Sequence, residues 1–205
     1  MLEVLTGTGL AASAGLNAYI PLLTMGLLAR YTSLIDLPAG WQWLGNGWVL
    51  AILAVLLVIE VVADKVPVVD HVNDVVQTVV RPTAGGLAFG AGSSSETVTV
   101  SDPGSFFSSH QWVPVVTGVL IALGVHLLKS AARPVVNATT AGVGAPVAST
   151  AEDATSVVMS VVAIILPVLV LAFLLGLVLF VVSFLRRRSD RRRERQAARA
   201  AGFRV

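Results

Sequence analysis

The chain has 205 residues, 13% of them charged, a mean hydropathy of +0.82 and no cysteine. A soluble domain carries about 25% charged residues, so a globule surrounded by water is excluded; without cysteine, so are disulfides, thiolate metal sites and thiol catalysis. The net charge of +2 is unevenly divided: from Arg186 onward nine arginines stand against Asp190 and Glu194, which leaves five basic and ten acidic side chains in the residues before.

Taken in chain order, the opening "MLEVLTG" has an acid and no basic run, which predicts that the first apolar stretch is retained rather than cleaved as a signal peptide. Apolar runs of roughly the length that crosses 30 Å of hydrocarbon predict four clear transmembrane helices, over about 5–29, 48–64, 112–131 and 156–185. In the first, Gly7, Ala11 and Gly15 recur every four residues, a spacing that lets helices approach closely, and Asn17 follows as a polar residue. "GTGLAA" matches part of a dinucleotide fingerprint, but no strand precedes it and its setting is membrane, so that match is discarded. Tyr31, Trp41, Trp43 and Trp48 read as an interfacial aromatic belt, which is structural and implies no chemistry.

Two more segments, 66–92 and 134–152, are apolar on one side only. "TVVRP" and "SAARP" each end a helical pattern at an Arg-Pro and lead into small residues, which predicts broken or re-entrant helices at Pro82 and Pro134. The fold class expected is an all-α integral membrane protein, with a single transmembrane domain over 1–185 and a basic tail over 186–205. Basic residues beside a span mark the cytoplasmic side. Four crossings would leave Lys129 and Arg133 outside, whereas six place the loop "SSSETVTVSDPGSFFSSHQ", which lacks Lys and Arg, outside. The C-terminus is then cytoplasmic. Arginines at Arg186–Arg193 attract anionic lipid head groups at roughly 1 kcal/mol per charge, and no nucleic-acid partner is needed to explain them. A homo-oligomer would suit so few spans.

On a helix at about 100° per residue, Asp70, Asp74, Thr78 and Arg81 fall within roughly 80° of one another, opposite Val72, Val75, Val76, Val79 and Val80. Glu60 and Asp64, four apart, share a face at the end of the preceding span. Segment 66–92 is then either an amphipathic helix on the bilayer surface or a helix whose acids face a bundle interior and need basic partners. Lys65, Arg81, Lys129 and Arg133 are available to neutralise Glu60, Asp64, Asp70 and Asp74. His126, Lys129, Ser130 and Arg133 form one helical stripe, although Lys129 and Arg133 have the alternative of snorkelling to the interface. In "ASTAEDATSVV", Ser149 and Glu152 fit a capping box; the competing reading places Glu152 and Asp153 in the interior network.

Five blocks, "GLNAY" (15–19), "EVVADKVPVVD" (60–70), "TVVRPTAGG" (78–86), "HLLKSAARPVVN" (126–137) and "STAED" (149–153), resemble in order the bacterial membrane family called domain of unknown function 4126. The resemblance implies a small multi-pass inner-membrane protein. Its motif positions map onto Asn17, Glu60, Asp64, Lys65, Asp70, Asp74, Thr78, Arg81, His126, Lys129, Arg133, Asn137, Glu152 and Asp153. These residues are the candidate ion or substrate pathway.

Charges at membrane depth usually serve translocation. The expected function is therefore a small transporter or channel for a cation or a proton-coupled solute. Oxygens of Asp70, Asp74, Glu152 and Asp153 would suit a hard ion, and Arg81, Lys129 and Arg133 a phosphate-bearing group. The alternative is a non-catalytic scaffold whose charged network is structural. A lipid-acting enzyme lacks a nucleophile–base motif here, so no catalytic residue and no cofactor are expected.

Overall fold

The structure, a computed structural model, describes residues 2–65, 67–93, 112–140, 143–172, 175 and 176, except for the side chains of 67–72 and 137. The arginine tail and the loop over 94–111 lie outside the described residues. Residues 1–170 form one compact unit and 171–205 a second, of which only short helical pieces are described. The described residues of the first unit are helical, with no strand among them. Its helices are α1 (Leu2–Leu16), α2 (Tyr19–Tyr31), α3 (Gly47–Ala63), α4 (Pro67–Gly92), α5 (Trp112–Thr140) and α6 (Gly144–Ile165), with a 3₁₀ segment at Ala39–Gly45 before α3.

Among the described residues, α5 and α6 are long and apolar enough to cross a membrane, and the 3₁₀ segment with α3, bent by 63°, makes a third if it is one span. The four clear spans expected are reduced for local reasons. The run over 5–29 is two helices: Asn17 Oδ1 accepts from the backbone N–H of Tyr19 at 3.1 Å and of Ile20 at 3.3 Å, which caps a new helix in the middle of the run. The 17 residues of α3 rise about 25 Å, short of about 30 Å of hydrocarbon. The last span was expected over 156–185; α6 starts at Gly144 and ends at Ile165, and residues 177–185 lie outside the described residues. There Leu166 leaves helical backbone (φ −134°, ψ 66°) before Pro167, since a residue preceding proline avoids the α region.

The expected breaks at the two Arg-Pro pairs are absent. Pro82 lies inside α4 and Pro134 inside α5, both continuous. Packing beyond Pro82 outweighs the lost hydrogen bond, because small residues bring three backbones together. Gly85 meets Ala122 and the Gly118 carbonyl, Gly15 meets the Ala122 carbonyl and Val125, and Gly7 meets Phe89. These contacts set α4 antiparallel to α1 and α5 parallel to it. Gly9 against Ala163 and Asn17 against Asp153 set α6 antiparallel to α1. α2 turns back along α1, so that Met25 shares a cavity wall with Thr6 and Leu10.

The outside of this bundle is apolar. Ile52, Val55, Ile59 and Val62 form an exposed stripe on α3, with Val75, Val76 and Val79 on α4, Leu120, Leu127 and Leu128 on α5, and Val147, Val157 and Val158 on α6. A soluble monomer rarely exposes so much contiguous apolar surface, and lipid is the medium that suits it.

Candidate functional site

Glu60, Asp64, Arg81, Lys129 and Arg133, drawn from α3, α4 and α5, meet in the core, all buried. The amphipathic pattern of α4 turns its polar stripe inward, and α5 brings its own stripe opposite. Arg81, 0% exposed, donates to Glu60 Oε1 through Nη2 at 2.8 Å and Nε at 3.2 Å, and to Asp64 Oδ2 at 3.3 Å. Asp64 is the hub: its Oδ2 also accepts from Lys129 Nζ at 2.9 Å and Arg133 Nη2 at 3.2 Å, and its Oδ1 from Asn73 Nδ2 at 2.7 Å. Glu152 Oε2 lies 3.0 Å from Lys129 Nζ and 2.9 Å from Arg133 Nη2. At the rim, Lys65 Nζ is 3.6 Å from Asp153 Oδ2. Among the described ion pairs four bases face four acids, and such pairing is what charges held out of water require.

The break between α1 and α2 feeds this cluster. Because α1 ends at Leu16, its carbonyl has no helical donor and accepts from Lys129 Nζ at 3.1 Å. Asn17, fully buried, caps α2 with its oxygen and donates its amide to Asp153 Oδ1 at 3.0 Å. The side of an interrupted helix that carries free carbonyls suits a cation.

His126 is pinned by its neighbours. Arg81 Nη1 lies 3.3 Å from Nδ1 and has only protons to offer, so Nδ1 is the acceptor. Thr78 Oγ1 donates to the Asp74 carbonyl at 2.8 Å and lies 3.1 Å from His126 Nε2, so Nε2–H donates to Thr78. The contacts therefore define a neutral imidazole with its proton on Nε2. A second proton would have to displace Arg81.

Arg81 is buried and α4 packs against α1 and α5, so the segment over 67–92 is not a surface helix. Lys129 and Arg133 are buried, not snorkelling. Ser149 is no helix cap, because it sits inside α6, where its Oγ is buried without a hydrogen-bond partner. Asp74 was expected to be a neutralised member, but no described basic side chain pairs with it, and its Oδ1 is buried without a hydrogen bond. The side chains of Asp70 and Asn137 lie outside the described residues. Among the described residues no three His, Asp or Glu side chains gather as a metal site. Of the hard-ion set, Glu152 and Asp153 each engage basic groups.

Asn73, which the helical pattern places beside the polar face of α4, ties that helix to Asp64. Residues the sequence reading left out also belong here. Ser13, Ser156 and Ser160, all fully buried, bond one another across α1 and α6: Ser13 Oγ lies 2.7 Å from both of the others' Oγ atoms. Their signal was the spacing of Ser149, Glu152, Asp153, Ser156 and Ser160, one stripe on a helix.

No curated protein and no solved structure matches this chain. The family model described as Domain of unknown function (DUF4126) matches it over residues 4–187, so by nearly its whole length the chain belongs to that family.

Proposed function

We propose that this protein is a small membrane transporter or channel for a cation or a proton-coupled solute, and that the ionic cluster is its closed gate. One observation carries the reading. The ionic cluster, walled by helices whose outer faces are valine and leucine, still leaves the fully enclosed Glu60 Oε2 without a donor. A purely structural lock has every reason to satisfy its acceptors, since each buried orphan costs about 1–3 kcal/mol. A carboxylate oxygen left open beside buried ion pairs suits a proton or a donor ligand that comes and goes. The expected setting is the bacterial inner membrane, crossed several times, with Arg186–Arg193 on the cytoplasmic side against anionic lipid.

The scaffold reading has its own support in the even match of acids and bases. Proteoliposomes loaded with a pH-sensitive dye separate the two. Transport predicts that the wild-type protein dissipates an imposed pH gradient faster than empty vesicles, and that Glu60→Gln slows this. Rates equal to those of empty vesicles, with a lower unfolding temperature for Glu60→Gln, favour the scaffold.

A further inference from the structure

The polar contacts of the α1–α6 seam continue past the ionic cluster. One turn away from the Asn17–Asp153 pair lies the Ser13, Ser156 and Ser160 hydroxyl group, sealed from solvent. Beyond it the seam becomes apolar, with Gly9 against Ala163. The buried Leu10 and the half-buried Ile164 then form one wall of a 210 Å³ cavity at the far end of α1, which Glu3, Thr6 and Asp36 also line. A single apolar layer therefore separates a polar lane from a cavity that carries two carboxylates. At the lane's other end, past Glu152, the buried Ser149 Oγ has no hydrogen-bond partner, as at a place where a water molecule would continue the chain.

We infer that the α1–α6 seam is the route by which protons pass between the ionic cluster and the far cavity, and that Leu10 and Ile164 are the plug that closes it. The inference rests on the transport reading. A hydroxyl both accepts and donates, so each serine can take a proton on its oxygen and release its own, leaving the chain of hydroxyls unchanged. Carboxylates at Glu3 and Asp36 give the emerging proton an acceptor.

The chain has no cysteine, so single cysteines report without background. In full-length protein in liposomes, Ser160→Cys is to be labelled with a water-soluble, ammonium-bearing thiosulfonate, with Leu34→Cys, exposed in the connection after α2, as control. Trimming the plug with Leu10→Ala removes buried contacts and populates the hydrated seam, so labelling of Ser160→Cys rises about tenfold or more while Leu34→Cys is unchanged. The same Leu10→Ala substitution speeds collapse of a pH gradient, and adding Ser13→Ala slows it again. Wild-type flux that Glu60→Gln abolishes, with Ser160→Cys labelling indifferent to Leu10→Ala, overturns the seam and leaves the transport reading standing. No flux from any variant overturns both.

Discussion

Asp64 accepts from four donors on two helices, so no other single side chain holds as much of the cluster. Asp64→Asn leaves Arg81, Lys129 and Arg133 with surplus charge out of water. Breaking a buried ion pair costs about 3–5 kcal/mol, and thermal unfolding in detergent should show a loss of that size. Glu60→Gln keeps an amide oxygen for Arg81 and should lose less. At Asn17, substitution by alanine removes the α2 cap and the bond to Asp153; the cap alone is worth about 1 kcal/mol. An Asn17→Ala protein as stable as wild type would mean that the break persists without its cap.

At the scale of elements, close packing through glycine decides what proline does not. A Cβ at Gly118 would run into the Gly85 backbone, whereas one at Gly124 meets nothing within 4 Å. Both glycines are inside α5, so opposite outcomes are expected from similar changes. Gly118→Val should destabilise by about 1–3 kcal/mol or more through overpacking, while Gly124→Ala should stabilise by up to about 1 kcal/mol through helix propensity. The same unfolding measurement reads both.

Elements also show what was legible in advance. Period and polarity located the polar faces of α4 and α5 and the close-approach face of α1, because each is a property of one helix. Which acid meets which base is a property of two helices, and periodicity is silent on it. Hence Asp74 was expected to be neutralised and is not, and Glu152, readable as a cap, instead bridges Lys129 and Arg133. The Arg-Pro pair at Pro82 misled for the same reason: local chemistry favours a break, and the Gly85–Gly118 contact that overrides it joins residues far apart in sequence.

For the molecule as a whole, the balance of charge matters more than any one pair. Deleting an acid and a base together should be far less harmful than the single deletions imply. Asp64→Asn combined with Lys129→Met is expected to unfold at a temperature above that predicted by adding the two singles, with a coupling of about 0.5–3 kcal/mol. Strict additivity would mean that water, not its neighbours, compensates Asp64.

The separation of these partners along the chain bears on how the protein is made. Glu60, Asp64 and Arg81 leave the ribosome well before Lys129, Arg133 and Glu152. During that interval the early half holds more acid than base, with Lys65 and Arg81 against Glu60, Asp64, Asp70 and Asp74. α1 and α2, each too short to span alone, must wait as a pair for α5 and α6 to close around them. Biogenesis of this fold is therefore a holding problem: part of the early acidic charge stays uncompensated until α5 and α6 are made.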